Sequence, residues 1–275
     1  MQLGKDYRSE LNSGQVAELL DFADGLADQA RRVAGEFPLD GSYIMHKSDG
    51  TGPVTSLDLL VERTWQGMIS RKFPSHSIVG EETEPVNGQG DYVWLLDPID
   101  GTDDLVRGIP LYGSIIAVLY RGFPIVGVID HPELNIRCKA AFNLGCYRNG
   151  SMLNLDDVAD QDPNDAIIMP AYTDYRKLDN FTDIVNKINI AFPNQRVYRN
   201  VYGHTLVASG RFGACLEVDV NVWDIMASQL IIEQANGVFV TLQIVGTGDR
   251  NRKISAVFGQ RSTVNKVMAI IQECA

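Results

Sequence analysis

The sequence predicts a mixed α/β fold of layered sheets and helices, and three observations lead there. Short apolar runs alternate with amphipathic helical stretches along the whole chain. Their spacing lacks the regular period of a Rossmann or barrel fold, and neither a GxGxxG nor a GxxxxGKS/T loop occurs. With 275 residues, the chain can bury about three quarters of its unfolded-state surface, enough for one large α/β domain or two ordinary ones.

The first helix is expected over 13–35, with Ser13 as its cap, Val16, Leu19, Leu20, Ala23 and Ala27 on one face, and Gly35 closing it. A second helix spans 56–72, with Leu59, Leu60, Trp65 and Ile69 as inward candidates and Pro74 just beyond. Strands follow at 77–79 and 92–96, and a hairpin over 114–120 and 125–129 turns at Gly122. Further strands lie at 137–142 and 145–148, before the Asn149-Gly150 turn. The second half reads as strand 166–169, helix 180–188, extended 196–199, helix 203–209, strand 214–218, helix 223–235, strands 238–242 and 254–258, and a closing helix 261–273. The expected organisation is a single domain over 1–275, with an N-terminal subdomain of about 1–150 and a C-terminal one of about 151–275.

Composition narrows the function. Hydrophobic residues are 45% and charged residues 21%, an ordinary globular balance. Lys and Arg number 24 against 35 Asp and Glu, a net charge of −11, which argues against nonspecific nucleic-acid binding and against anionic membranes. An anionic substrate stays compatible if the carboxylates gather around a divalent cation, which reverses the local field. The cysteines Cys138, Cys146, Cys215 and Cys274 have no CxxC spacing and read as buried thiols of a reducing compartment. The N-terminus is polar and the apolar run 109–120 is too short to span a bilayer, so a cytoplasmic location is expected.

The chemistry concentrates in Gly80-Glu81-Glu82 and Trp94-Leu95-Leu96-Asp97-Pro98-Ile99-Asp100-Gly101-Thr102. An apolar strand runs directly into two carboxylates at i and i+3, with Pro98 fixing φ between them and Gly101 permitting a tight turn. Both carboxylates and the Ile99 carbonyl can converge at the strand end, an all-oxygen set suited to a hard cation such as Mg2+. A short helix after Thr102 would offer free backbone N–H groups to a phosphate. Two further acidic points, Asp224 after Trp223 and Asp58 after Thr55-Ser56-Leu57, open helices, where each is either a cap or a ligand. Lys47 precedes the second of these. His204 is either a packed helix residue or a substrate contact, whereas His46, His76 and His131 read as surface or loop residues. Trp94 and Trp223 read as core anchors.

Glu81-Glu82, Asp97 through Thr102 and Trp223-Asp224, in this order, resemble the motif set of the inositol monophosphatase superfamily. Pro53-Val54-Thr55 with Asp58, Gly108-Ile109-Pro110, Gly127-Val128-Ile129 and Asn149-Gly150 extend the likeness over about 13–273. The resemblance implies an αβαβα sandwich, often dimeric, that hydrolyses phosphate monoesters with two or three Mg2+ ions. It implies that Glu81, Asp97 and the Ile99 carbonyl bind one ion, that Asp97, Asp100 and Asp224 bind a second, and that a third lies near Glu81 through water. It further implies that Thr102 with Asp58 orients and deprotonates the attacking water, and that the Gly101 and Thr102 amides hold the phosphate.

At the substrate end the resemblance places Glu217, seven residues before Asp224, with Arg199 and Asn200 beside it. Tyr202-Gly203 and 106–111 are more similar to histidinol phosphatases than to inositol enzymes, although an Asp usually sits where Asn200 does. Asp103-Asp104 depart from the family pattern, which has an Asn and an aromatic there. Histidinol phosphate is the first expectation, with inositol monophosphate or a nucleotide or sugar bisphosphate as alternatives. Only Arg107, Arg196 and Arg199 offer themselves to a second phosphate. The reading outside enzymes is a regulatory RNA- or protein-binding member of the superfamily.

Overall fold

The computed structural model describes residues 6–37, 44–46, 53–156, 166–170, 181–246 and 250–274. Lys47 and Asn180 lie outside the described residues.

Helices α1 (Ser13–Glu36) and α2 (Ser56–Lys72) precede a seven-stranded sheet. The two strands before α2, β1 (Ile44–His46) and β2 (Pro53–Thr55), pair with each other as a small antiparallel hairpin. The large sheet runs β3 (Ser77–Gly80), β4 (Tyr92–Asp100), β5 (Gly113–Tyr120), β6 (Phe123–His131), β7 (Ile136–Ala141), β8 (Gly145–Arg148) and β9 (Ser151–Met152), in that spatial order. Only β3 and β4 pair in parallel; the rest is antiparallel. Helix α3 (Thr102–Val106) interrupts it between β4 and β5.

A second sheet has the order β11 (Asn194–Val197), β10 (Ala166–Met169), β12 (Ala214–Asn221), β14 (Lys253–Gly259), β13 (Val238–Val245). Its helices are α4 (Phe181–Ala191), α5 (Tyr202–Ala208), α6 (Val222–Gln234) and α7 (Arg261–Cys274).

The strand period of two sorts the core into three clusters. Trp94, Leu96, Ile116, Val118 and Val128 point to one face of the large sheet, against α1 and α2. Leu95, Ile115, Ala117 and Ile129 point to the other, where α6 and α5 lie between the sheets. Ile167, Leu216 and Val257 face outward from the second sheet onto α4 and α7. The layers therefore run helix, sheet, helix, sheet, helix. Because the large sheet is covered on both faces, β5 and β6 read as nearly continuous apolar runs rather than as alternation. Helix α6 is apolar over most of its circumference for the same reason: it is packed between two sheets.

Several local expectations need correction. Asn12, not Ser13, caps α1, its side chain accepting from the Gly14 amide at 2.7 Å, and the helix passes Gly35 to end at Glu36. On α2 the inward residues are Leu57 and Val61; Leu60 is exposed and Leu59 only half-buried, because the buried stripe of Trp65 and Ile69 extends back through Val61 and Leu57. The extended segment expected over 196–199 sits at Asn194–Val197. His131 is fully buried, not at the surface: its Nδ1 lies 3.1 Å from the Tyr112 carbonyl and its ring packs edge-on against Tyr202. His76 is half-buried in an aromatic stack, 3.0 Å from the Trp94 indole N–H. Trp94 and Trp223 are core anchors. No described helix is long and apolar enough to cross a membrane.

Gly127 of β6 marks where α6 approaches the sheet most closely. A Cβ there would lie 2.8 Å from the Ala227 carbonyl oxygen, a backbone atom that cannot rotate away. Gly127→Ala should lower unfolding stability by about 1–3 kcal/mol, read from the urea midpoint. Gly25→Ala, in helix α1 with open space around it, should be neutral or stabilising by up to ~1 kcal/mol. Equal midpoints for the two variants would contradict the layered packing.

Candidate active site

The acidic segment at the end of β4 is built by a β-bulge. In a regular strand, residues three apart point to opposite faces. Here Asp97 pairs with Ile115 and Asp100 with Gly113, so β4 carries one residue more than its partner between those points. The extra residue brings both carboxylates to the same side. Pro98 donates no hydrogen bond, and its carbonyl accepts from Ser114 Oγ at 2.7 Å. The Ile99 amide donates to Asp97 Oδ1 at 3.0 Å, fixing that carboxylate.

Helix α3 begins at Thr102 itself, with Gly101 at its N-cap in the left-handed conformation (φ 87°). A side chain at 101 would be strained by that φ and would also crowd Asn200 Cβ at 3.1 Å. Thr102 Oγ1 lies 3.0 Å from Asp58 Oδ1 and 3.0 Å from the Ile99 carbonyl oxygen. Asp58 is fully buried, caps α2 and also faces Thr102. Its Oδ2 accepts from the Thr55 amide at 2.9 Å and from the Thr55 hydroxyl, capping α2, while its Oδ1 faces Thr102. Burial pushes the Asp58 carboxyl above the usual range.

Asp224 likewise combines two duties. It accepts from the Asn221 amide at 2.9 Å at the start of α6, and one of its oxygens lies with oxygens of Glu81 and Asp97 within a span of 4.8 Å. Three carboxylates from three distant parts of the chain thus meet at one point. Asp100 accepts from the Val201 amide and lines a cavity of about 140 Å³ with Asp224, Glu217, His204, Tyr198, Arg199 and Asn200. Arg199 is exposed at the cavity rim, and Asn200 is buried, its side-chain amide donating to Asp104. Glu217 Oε1 lies 3.0 Å from His204 Nε2, so His204 is packed and hydrogen-bonded as well as facing the cavity. A second bulge, in β12 between Glu217 and Val220, turns the end of that strand toward the same cavity.

The two unexplained carboxylates find separate places. Asp103 faces solvent and pairs with Arg107 at 3.1 Å, so Arg107 is engaged away from the cavity. Asp104 holds Asn200.

Sequence reasoning missed Glu62. It is fully buried and accepts from the Glu82 amide at 3.0 Å, the Thr83 amide at 2.8 Å and the Thr83 hydroxyl, clamping the loop that carries Glu81. A Cβ on Gly80 would lie 2.1 Å from the Glu62 carboxylate, so glycine there makes room for the clamp. The signal was present: Asp58 and Glu62 stand four apart on the apolar face of α2.

The electrostatics favour a cation. Burial, then the charges of Glu81, Asp100, Asp224 and Asp58, push the Asp97 carboxyl well up. Burial, with Glu81 and Asp100 nearby, does the same to Asp224. Asp100 is pushed up to about 7, chiefly by burial and against the Val201 hydrogen bond. An all-oxygen cluster whose charges are this costly in isolation fits a hard divalent cation.

The profile of the inositol monophosphatase family matches residues 15–269. A histidinol-phosphatase of Chlorobaculum parvum is 31% identical, covering 77% of this chain and 83% of its own. The Nus factor SuhB of Pseudomonas aeruginosa is 27% identical over 90% of this chain and 94% of its own. Among solved structures, a staphylococcal inositol monophosphatase I complexed with products aligns with TM-score 0.76 at 22% identity, over 94% of this chain and 96% of that one. The chain belongs to the inositol monophosphatase family and has its layered fold. It is a phosphoric monoester hydrolase.

The raised carboxyls make stability depend on pH. A carboxyl raised in the folded state contributes stability that is complete below its unfolded value and is lost as pH rises through its folded one. For Asp100 that window runs from about 3.8 to about 7. Protein stripped of divalent cations should therefore show a falling thermal midpoint across that window. Saturating Mg2+ should restore the midpoint, with the gain growing as pH rises, at roughly 2–4 °C per kcal/mol. A gain from Mg2+ that is the same at both ends of the window would contradict the charge argument.

Proposed function

We propose that the chain is a Mg2+-dependent phosphatase of small-molecule phosphate monoesters, with histidinol phosphate as its first candidate substrate. The convergence of Glu81, Asp97 and Asp224 oxygens within 4.8 Å carries this reading. In it, Glu81, Asp97 and the Ile99 carbonyl hold one ion, and Asp97, Asp100 and Asp224 hold a second. Mg2+ bound there supplies neutralisation of the phosphoryl oxygens and a lowered pKa for coordinated water.

The chain's own residues do the rest. The Gly101 and Thr102 amides open α3 and bind the phosphate at its N-terminal turn. Thr102 orients the attacking water and passes its proton toward Asp58, which has no exposed surface and reaches the cavity only through the threonine hydroxyl. The raised Asp58 carboxyl is the better proton acceptor for it. Hydrolysis of a phosphate monoester is among the slowest reactions known without catalysis, so positioning and charge neutralisation carry most of the rate.

Glu217, Arg199 and Asn200 form the substrate end. Glu217 brings a carboxylate to the cavity, with Asp100 and Asp224 beside it, which suits a leaving group bearing hydroxyls or an amine. The histidinol-phosphatase relative at 31% identity supports the amine. With Arg107 held by Asp103, Arg199 is the one cation among the described residues that lines the cavity, which weighs against a bisphosphate. The net charge of −11 weighs against an RNA-binding role for this chain.

Phosphate release with Mg2+, repeated with EDTA, tests the activity, and a panel of histidinol phosphate, inositol monophosphate, fructose bisphosphate and adenosine bisphosphate ranks the substrates. Asp97→Asn should reduce turnover to background while circular dichroism stays native; near-normal activity at saturating Mg2+ would sink the two-ion reading. Glu217→Gln should cost about 1–3 kcal/mol in kcat/KM for the preferred ester. It should leave p-nitrophenyl phosphate nearly untouched, since that ester has no hydroxyl or amine to meet the carboxylate. A uniform loss on every ester would show that Glu217 supports the ion site or the fold instead.

A further inference from the structure

Behind the substrate end lies a second cluster of ligating atoms, of different chemistry. His204 Nε2, Cys215 Sγ and a Glu217 oxygen lie within 4.8 Å of one another. His204 Nε2 is 3.0 Å from Glu217 Oε1, and Cys215 Sγ is 3.5 Å from the same oxygen. We propose that these three residues form a binding site for a thiophilic divalent cation, Zn2+ being the type, distinct from the all-carboxylate cluster.

The donor set is the first argument. One imidazole nitrogen, one thiolate and one carboxylate oxygen are borderline-soft ligands that favour Zn2+ over Mg2+. Mg2+ demands oxygen donors in an octahedron, which a thiol and an imidazole do not supply.

Spacing is the second. With Zn–N and Zn–O bonds of about 2.1 Å and a Zn–S bond of about 2.3 Å, the edges of a tetrahedron are about 3.4 Å for N to O and about 3.6 Å for S to O. The observed 3.0 and 3.5 Å separations from Glu217 Oε1 are within tenths of an ångström of those two edges, and the third, from His204 Nε2 to Cys215 Sγ, is within 4.8 Å.

The third argument is support and access. His204 Nδ1 is 2.7 Å from Ser228 Oγ, which anchors the ring from behind and leaves Nε2 pointing at the cluster. The ring also packs edge-on against Phe258. Cys215 is fully buried on β12, while His204 and Glu217 reach the cavity, so an ion would enter from the cavity and take a water from it as fourth ligand. The thiol and the imidazole give up any protons they carry to solvent as the ion binds.

The site stands whether or not the phosphatase reading does, and the test reads it without activity. The full-length protein, saturated with Mg2+, is titrated with Co2+ as a spectroscopic substitute, and then with Zn2+ against a chromophoric chelator. A thiolate-to-cobalt charge-transfer band with one-to-one stoichiometry is expected, displaced by Zn2+ and unaffected by excess Mg2+. Cys215→Ser should abolish the band and weaken Zn2+ binding at least tenfold, and His204→Gln should weaken it similarly. Cys274→Ser should change neither, because Cys274 lies on the last helix, away from the cluster. If Cys215→Ser does not fold, the His204→Gln and Cys274→Ser pair decides. No band in the unmodified protein, or a band that Cys274→Ser removes, would overturn the proposal.

Discussion

The structure depends on holding several carboxylates together where water is scarce. Asp97 is almost wholly buried, Asp100 and Asp224 are half-buried beside it, and Asp58 and Glu62 are fully buried just behind. Such a group of like charges opposes folding unless each member has a hydrogen-bond donor. The chain supplies one backbone amide or more to every one of them. Ile99 serves Asp97, Val201 serves Asp100, Asn221 serves Asp224, Thr55 serves Asp58, and Glu82 with Thr83 serves Glu62. These amides lie at strand ends, helix starts and loops, where the backbone has donors to spare. The acidic cluster therefore sits where both sheets end and α2, α3 and α6 begin.

Two strand irregularities make that convergence possible. The bulge in β4 turns an i, i+3 pair of aspartates to the same side, and the bulge in β12 turns the strand end that leads into α6. A regular β4 would leave Asp97 and Asp100 on opposite faces. The sandwich around them is conventional, with each apolar strand face matched by a helix layer. Regularity in the core positions the two rims, and irregularity at the rims aims the side chains.

Much of this was legible in the residue order. Asp97-Pro98-Ile99-Asp100-Gly101-Thr102 alone could have been a solvated Asp-Gly turn, and it was the apolar strand leading in and the separate Glu81-Glu82 pair that pointed to a strand end rich in oxygen ligands. The helix starts at Asp58 and Asp224 were equally plain, and each residue serves as a cap while it faces the site. The bulges were not legible, because register depends on the partner strand. Glu62 was overlooked because a lone glutamate on a helix normally faces solvent; only its i, i+4 relation to Asp58 on the Leu57, Val61 and Trp65 face betrayed it. His131 was misplaced because its partner, the Tyr112 carbonyl, lies on the neighbouring strand side of a turn and has no sequence signature.

The site divides its labour between the two sheets. Glu81 and Asp97 through Thr102, the residues that the proposed reading sets at the phosphate end, come from the end of the large sheet and the turn into α3. Glu217, by contrast, comes from β12 of the second sheet, with Arg199 and Asn200 on the loop before α5. Asn200 crosses between them: its amide binds Asp104 on α3, and its backbone neighbour Val201 holds Asp100. A change at 200 would therefore move the acidic cluster along with the substrate wall. Glu217 and His204 are tied to each other and to Cys215 and Ser228, all within the second sheet and its helices. The two sides are nonetheless coupled: Glu217 lines the same cavity as Asp100 and Asp224 and its charge raises both carboxyls, and Ser228, which anchors His204, stands on the helix that Asp224 opens.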